Sequence, residues 1–312
     1  MYLCINIKNV YMKKKFEQHI IDEIISQYRE GKSITRLNKE FHTTKVRDIL
    51  IANNIPVPEK GKAIGGAKRL YSLDETYFEN IDSKDKAYFL GFIYADGFIT
   101  KRSSGQNVLG ITLSESEPLD KFKKYIKTDK PYGIYNKTSS YSDKSIEYKL
   151  AIISNKIVED IEKLGVVERK TLILSFPDFL DKALIPHFIR GYFDGDGSVF
   201  LHKPKNRDSS YLGINICGTK EFLIGLRKHL DFLGESECIY KELRNTTNCW
   251  NIKLSSNLRS LSLYHYLYKD CNDLYLSRKR EIFENFIKEE GSETIITNPT
   301  NKEYLKLCYL ED

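Results

Sequence analysis

Residues 88–99 read YFLGFIYADGFI and residues 188–199 read FIRGYFDGDGSV, so the chain states one pattern twice, with the closing acids Asp96 and Asp196 lying 100 positions apart. Each stretch is apolar over most of its length and ends in Asp-Gly, the pattern of a buried helix that stops abruptly. Asp82 or Ser83 can cap the first helix, and Pro186 suits the first turn of the second. Gly97 and Gly197 stand where a left-handed residue is expected to end each helix. Gly91 with Ala95, and Gly191 with Gly195, are spaced i, i+4 and therefore share a face. A glycine inside a helix costs about 1 kcal/mol relative to alanine. Close approach of two backbones is the compensation that fits. The two helices are thus expected to touch along these notches, with Asp96 and Asp196 side by side at the negative ends of both helix dipoles. Carboxylates so placed repel each other, and a divalent cation relieves the repulsion. Oxygen ligands with few nitrogen or sulfur partners favour Mg²⁺, for which Mn²⁺ can substitute.

The repeat continues beyond the two motifs. Val108–Leu113 matches Tyr211–Ile216 as a strand, and amphipathic helices follow over Leu119–Ile126 and Phe222–Leu230. Two more strands are expected in each half, at Gly133–Lys137 with Glu147–Ile153 and at Cys238–Leu243 with Trp250–Leu254. A basic pair then closes each half, Arg169-Lys170 in the first and Arg278-Lys279 in the second. Helix, two strands, helix, two strands, helix, stated twice, predicts one pseudo-twofold α+β unit with half-domains at 74–178 and 179–290 and a tail over 291–312.

Before this unit the chain has a different character. Residues 1–15 form a leader broken by lysines, and residues 16–56 read as three short helices. Ile20, Ile21, Ile24, Ile25 and Tyr28 stripe the first, which Gly31 stops; Ser33, Ile34, Leu37 and Phe41 carry the second. His42 to Thr44 form a turn with Thr43 or Thr44 as cap, and Val46, Ile49 and Leu50 stripe the third. The last two helices resemble a helix-turn-helix whose third helix enters the major groove, which would turn Thr44, Lys45, Arg47 and Asp48 towards DNA. Residues 57–73, rich in Pro, Gly and Lys, form a basic linker.

Composition narrows the class. Residues 13–72 hold thirteen Lys or Arg against seven Asp or Glu, an excess equal to the whole net charge of +6, and this favours a polyanion as partner. The six cysteines show no C-x-x-C pair, so neither a disulfide framework nor a zinc site is indicated and a reducing intracellular compartment, cytoplasm or organelle matrix, is expected. No stretch is long and apolar enough for a signal peptide or membrane span, which leaves no role for a membrane partner. Asp194-Gly-Asp196-Gly-Ser198 has the look of a calcium loop, but the twelfth position that an EF-hand fills with Glu holds Lys205.

At this point the segments Phe89–Gly97 and Ile189–Gly197 resemble the signature of the LAGLIDADG homing endonucleases, in the single-chain, two-motif form. The resemblance covers roughly residues 74 to 288. It implies a duplicated αββαββα fold, two four-stranded sheets forming a saddle over double-stranded DNA, and a monomer with internal pseudo-twofold symmetry and no small-molecule substrate. It also implies Mg²⁺-dependent double-strand cleavage at a long target, by hydrolysis of one phosphodiester in each strand. Asp96 and Asp196 are then the metal-binding catalytic residues. Lys170 and Lys279 match the basic position that stabilises phosphate charge, with Arg169 and Arg278 as adjacent alternatives. Two departures stand out: position six of the motif is Tyr94 in one copy and Asp194 in the other, and Arg190 replaces a small residue. These are expected to loosen helix packing or to bias the two half-sites. Ser116 and Lys220 are candidates for the polar residue after the second strand of each half. Two further readings keep the fold but change the activity: a DNA-binding regulator that no longer cuts, and an RNA maturase. A chain opening on Met1 and closing on Leu310-Glu311-Asp312 is expected to be free-standing rather than a self-splicing insert.

Overall fold

The computed structural model describes residues 16–57, 70–139, 142–203, 210–233, 239–241 and 248–290. The expected leader, the tail and most of the linker lie outside the described residues. The chain divides into two compact units, with the boundary between Arg69 and Leu70.

Among its described residues the first unit has three helices, α1 (Gln18–Arg29), α2 (Ile34–Glu40) and α3 (Val46–Ala52). Ile24, Leu37, Val46 and Leu50 form its buried centre, with Ile20, Tyr28, Phe41 and Ile49 packed around them. Gly31 ends the first helix with φ at +97°, a conformation open to glycine at little cost. The Ser33 hydroxyl caps α2 by accepting from the Arg36 amide at 3.3 Å. The cap of α3 differs from the expectation. Lys45 occupies the N-cap position, and the free amides are met by Thr43 Oγ1, which accepts from Lys45 N, and by Asn38 Oδ1, which accepts from Val46 N.

The second unit is α+β. Its first half runs α4 (Lys84–Asp96), β1 (Gly97–Lys101), β2 (Asn107–Leu113), α5 (Glu117–Tyr125), β3 (Gly133–Ser139), β4 (Ser142–Ile153) and α6 (Asn155–Lys163). Its second half runs α7 (Ile185–Asp196), β5 (Gly197–His202), β6 (Tyr211–Gly218), α8 (Lys220–Arg227), β7 (Ile239–Lys241), β8 (Trp250–Leu254), α9 (Asn257–Tyr268) and α10 (Ser277–Glu290). Each half builds a four-stranded antiparallel sheet, ordered β1-β2-β4-β3 and β5-β6-β8-β7. One continuous core joins the two sheets to the helices, and it includes Phe89, Phe92, Ile93, Phe188, Tyr192 and Phe193 from the two motif helices. Those helices are buried nearly all round because they face one another as well as both sheets.

The halves are not identical. Gly97 pairs with Ile111, whereas Gly197 pairs with Ile216 rather than with Ile214, the residue the repeat matches to Ile111. A slip of two positions keeps every side chain on its own face of the sheet. The basic pairs also differ in setting. Lys170 opens a single 3₁₀ turn after α6, with Arg169 left-handed before it, whereas Arg278 and Lys279 lie in the full helix α10, which follows α9, the counterpart of α6.

One expectation about the motif ends is corrected. Gly97 and Gly197 are not left-handed: their φ/ψ values are −73°/149° and −88°/155°, so each helix passes straight into an extended strand. Glycine is needed there for space. A β-carbon on Gly97 would lie 2.7 Å from the Ile93 carbonyl oxygen, and one on Gly197 would meet the same carbonyl of Phe193. The Ser83 side chain, expected as a cap, makes no capping hydrogen bond, although Ser83 holds the N-cap position. Pro186 does sit in the first turn of α7.

Candidate active site

The site begins with the contact between α4 and α7. Gly91 lies against the backbone of Phe188 and Tyr192, and Gly191 against that of Tyr88 and Phe92, so the two notches interlock. One turn further on, Gly195 faces the Ala95 methyl and stands beside the Asp96 carboxylate. The four small residues therefore serve one contact, and it delivers the last turns of both helices to the same place. A hydrogen bond of 2.8 Å from the Tyr88 hydroxyl to Asp194 Oδ2 ties the helices together from the side.

At the end of this seam Asp96 is half-buried and Asp196 remains open to solvent. The Asp96 carboxyl is pushed up to about 6, first by burial and then by the neighbouring charge of Asp196. Asp196 is also raised, because protein atoms around its carboxyl cost it hydration even though the residue reaches solvent; Lys170, the Tyr192 hydroxyl and Lys279 act the other way. Two carboxylates that would ionise together only at a cost are what an oxygen-seeking cation relieves. Among the described residues no group of three or more His, Cys, Asp or Glu side chains converges as a metal site, here or elsewhere. A pair of carboxylates fits Mg²⁺, which characteristically takes one or two carboxylates and completes its shell from water and substrate phosphate.

The two lysines behave differently from exposed phosphate binders. Lys170 is buried and donates from Nζ to the carbonyls of Tyr94 and Ala95, the latter at 2.6 Å. Lys279, 2% exposed, donates to the carbonyls of Phe193 and Asp194 at 2.7 Å each and to that of Gly197. Each lysine thus satisfies the carbonyls left over at the end of one motif helix and places a positive charge against its negative pole. Burial lowers both, Lys279 to about 8. Their charge still reaches Asp96 and Asp196. Arg278 forms an ion pair with Glu115 that bridges the two halves, and Arg169 is exposed.

Two crevices flank the helix ends. One, of about 200 Å³, is lined by Asp96, Asp194, Ser114, Glu115, Leu276 and Arg278. The other, of about 370 Å³, is lined by Asp196, Lys170, Tyr94, Cys217, Thr219 and Asn248, among others. Each therefore combines an aspartate from one motif with the position-six residue and one member of the basic pair associated with the other, Arg278 in the first crevice and Lys170 in the second. Neither Ser116 nor Lys220 lines them. The strand ends just before these positions do so instead, and Lys220 lies over the Trp250 ring at 5.0 Å. Glu115, Cys217 and Thr219 carried no signal beyond their place at the end of a repeated strand.

The two departures from the motif do not loosen packing. Arg190 is 1% exposed: Nε donates to the Leu274 carbonyl at 2.7 Å, and Nη1 reaches the Leu267 carbonyl at 2.9 Å and His187 Nδ1 at 3.0 Å. Burial, with Arg190 beside it, lowers His187 to about 4, so the ring is neutral and its Nδ1 can accept. Asp194 accepts from Tyr88 and from the Leu276 amide.

No protein-family model matches the chain. It is similar, at 24% identity over 94% of its own length, to the replication factor C small subunit of Methanocaldococcus jannaschii, and at 28% identity over 46% to that organism's DNA-directed RNA polymerase subunit Rpo1C. The chain spans only 17% and 15% of the length of these two relatives. An uncharacterised protein of the same organism is 24% identical over 64% of this chain and 71% of its own. Among solved structures, the homing endonuclease I-WcaI bound to its DNA recognition sequence matches with a TM-score of 0.46, 14% identity and coverage of 73% of this chain and 98% of its own. The LAGLIDADG meganuclease I-AabMI bound to uncleaved DNA matches with a TM-score of 0.44, 13% identity and coverage of 71% and 96%.

In the first unit, Thr44 and Asp48 are exposed and Lys45 and Arg47 half-buried; Thr44 and Lys45 precede α3, and Arg47 and Asp48 lie in its first turn. No described helix is long and apolar enough to cross a membrane.

Proposed function

We propose that the chain is a LAGLIDADG-type DNA endonuclease that uses Mg²⁺ to hydrolyse one phosphodiester in each strand of a long duplex target. The observation that carries this reading is the meeting of Asp96 and Asp196 at the end of interlocked helices, each with hydration withheld and a buried lysine behind it. Asp96 and Asp196 would hold the ion, which when bound makes a nucleophile of water at neutral pH and offsets charge on the phosphate. The chain's own residues do the rest. Lys170 and Lys279 fix the helix ends and favour the ionised carboxylates through their charge, against the burial that raises both. Arg278, at the mouth of the Asp96 crevice, is placed to exchange its Glu115 partner for a phosphate.

Substrate binding follows from the sheets. The faces turned away from the helices carry Thr112 and Lys149 in one sheet and Ser198, Asn215 and Lys253 in the other. Such polar and basic rows suit the edges of bases and the backbone of a duplex. The three-helix unit adds affinity through Thr44, Lys45, Arg47 and Asp48 as a helix-turn-helix. The test is to select, from a randomised duplex library, the DNA that the protein cuts in Mg²⁺, and then to assay Asp96→Asn with Asp196→Asn. The double variant is expected to bind the selected duplex and leave both strands intact. Cleavage by the double variant would refute the site. A wild type that binds tightly and never cuts, or that prefers intron RNA, would move the reading to a regulator or a maturase.

A further inference from the structure

Position six of the repeated motif is occupied by unlike residues, Tyr94 and Asp194, yet each does the same mechanical work. The Tyr94 hydroxyl donates to the Leu164 carbonyl, just past α6 and a few residues before Arg169-Lys170. Asp194 accepts from the Leu276 amide at 2.9 Å, just before Arg278-Lys279. Each side chain leaves its motif helix and grips the segment that delivers the basic pair of its own half. The chemistry is opposite, since one donates to a carbonyl and the other accepts from an amide.

The grip of Asp194 is the more elaborate. A single oxygen, Oδ2, takes both the Tyr88 hydroxyl and the Leu276 amide, while Oδ1 is buried without a hydrogen-bond partner among the described residues. Four residues earlier on the same helix, Arg190 binds the carbonyls of Leu267 and Leu274, and its guanidinium lies 5.3 Å from the centre of the Tyr88 ring. Arg190 and Asp194 therefore fasten the last turn of α9, at Leu267, and two points of the connection from α9 to α10, at Leu274 and Leu276. Ser277 to Glu117 and Arg278 to Glu115 are only partly buried or exposed and compete with water, while Lys279 ties the start of α10 to the carbonyls of Phe193, Asp194 and Gly197, and Lys121 donates to the Tyr275 carbonyl at 3.0 Å. Asp194, Leu276 and Arg278 all line the Asp96 crevice, and Tyr94 with Lys170 lines the Asp196 crevice.

We propose that Asp194 is a positioning residue for one half of the reaction: by holding Leu276 it sets Arg278 at the Asp96 crevice, and Tyr94 does the equivalent service at the Asp196 crevice. This rests on the nuclease reading and extends it to an unequal dependence of the two strands. The carboxylate acts here as an acceptor, so an amide should replace it where an alkyl group should not.

The experiment uses full-length protein and a duplex selected by the wild type from a randomised library in Mg²⁺, with each strand labelled separately. Asp194→Leu is expected to change the ratio of the two strand rates by about tenfold, with nicked duplex accumulating. Asp194→Asn, whose amide oxygen can take both hydrogen bonds, is expected to keep that ratio within about threefold of wild type. Tyr94→Phe is expected to shift it in the opposite direction. Hydrogen exchange at the Leu276 amide supplies a readout independent of cleavage: it should quicken in Asp194→Leu and stay slow in Asp194→Asn. Equal slowing of both strands by Asp194→Leu, or failure of Asp194→Asn to restore the ratio and the protection, overturns the proposal. A wild type that cuts nothing would defeat the nuclease reading and the strand effect with it, while the exchange measurement would still decide whether Asp194 holds the segment.

Discussion

Gly91 and Gly191 occupy reciprocal notches: a β-carbon on Gly91 would lie 2.9 Å from the Tyr192 amide nitrogen, and one on Gly191 would lie 2.9 Å from that of Phe92. Nothing at these points is a flexible side chain that could swing away. The usual gain of about 1 kcal/mol from replacing a helical glycine with alanine is therefore expected to reverse. Gly91→Ala and Gly191→Ala should each lose about 3 kcal/mol or more in urea unfolding, as overpacking forces the helices apart. Equal or higher stability in either variant would show that the helices can part freely.

Lys279 and Lys170 are predicted to rank by the carbonyls they satisfy. Lys279→Met removes the donor for the carbonyls of Phe193, Asp194 and Gly197 and should cost about 3 kcal/mol of unfolding free energy. Lys170→Met, which strands the carbonyls of Tyr94 and Ala95, should cost about 2 kcal/mol. Denaturant titration checks the order. Two variants as stable as wild type would mean that water reaches these helix ends.

The pH dependence of cleavage follows from two groups shifted in opposite directions. Asp96, raised to about 6 by burial and by Asp196, must lose its proton to hold a cation, so the rate should rise as pH climbs through that value. Lys279, lowered to about 8 by burial, loses its charge above it, and the rate should fall there. The optimum is expected between the two, and because protons and metal compete, more Mg²⁺ should move the acidic limb to lower pH. An acidic limb indifferent to Mg²⁺ would separate it from the metal site.

In the helical unit, Lys45→Ala and Arg47→Ala are expected to weaken binding of the selected duplex by about three- to tenfold each and to flatten its salt dependence. Cleavage of saturated DNA should be unchanged. If the slope of affinity against salt stays the same, α3 does not touch phosphate.

Much of this arrangement was written in local pattern. The motif helices, the repeated strands and the notches at Gly91 and Gly191 follow from apolar periodicity and from glycines that only a close neighbour can justify. What escaped depends on backbone geometry at the helix ends and on contacts distant along the chain. Gly97 and Gly197 carry the signature of a left-handed helix end, yet the strand that continues from each makes them extended, and the need for glycine comes from the carbonyl one turn earlier. Arg190 looked like a blemish on an apolar face because its acceptors, the carbonyls of Leu267 and Leu274, belong to a connection more than seventy residues away. Lys170 and Lys279 were legible as a repeated basic position, but their attachment to the carbonyls of the motif helices required the fold.

On the proposed reading Asp96 and Asp196 act as one cation site, which anomalous scattering from Mn²⁺ in crystals of the protein with its selected duplex can locate. A peak in coordination contact with carboxylate oxygens of both residues is the predicted result. Manganese bound elsewhere, or carboxylates turned away from each other with no ion between them, would contradict it.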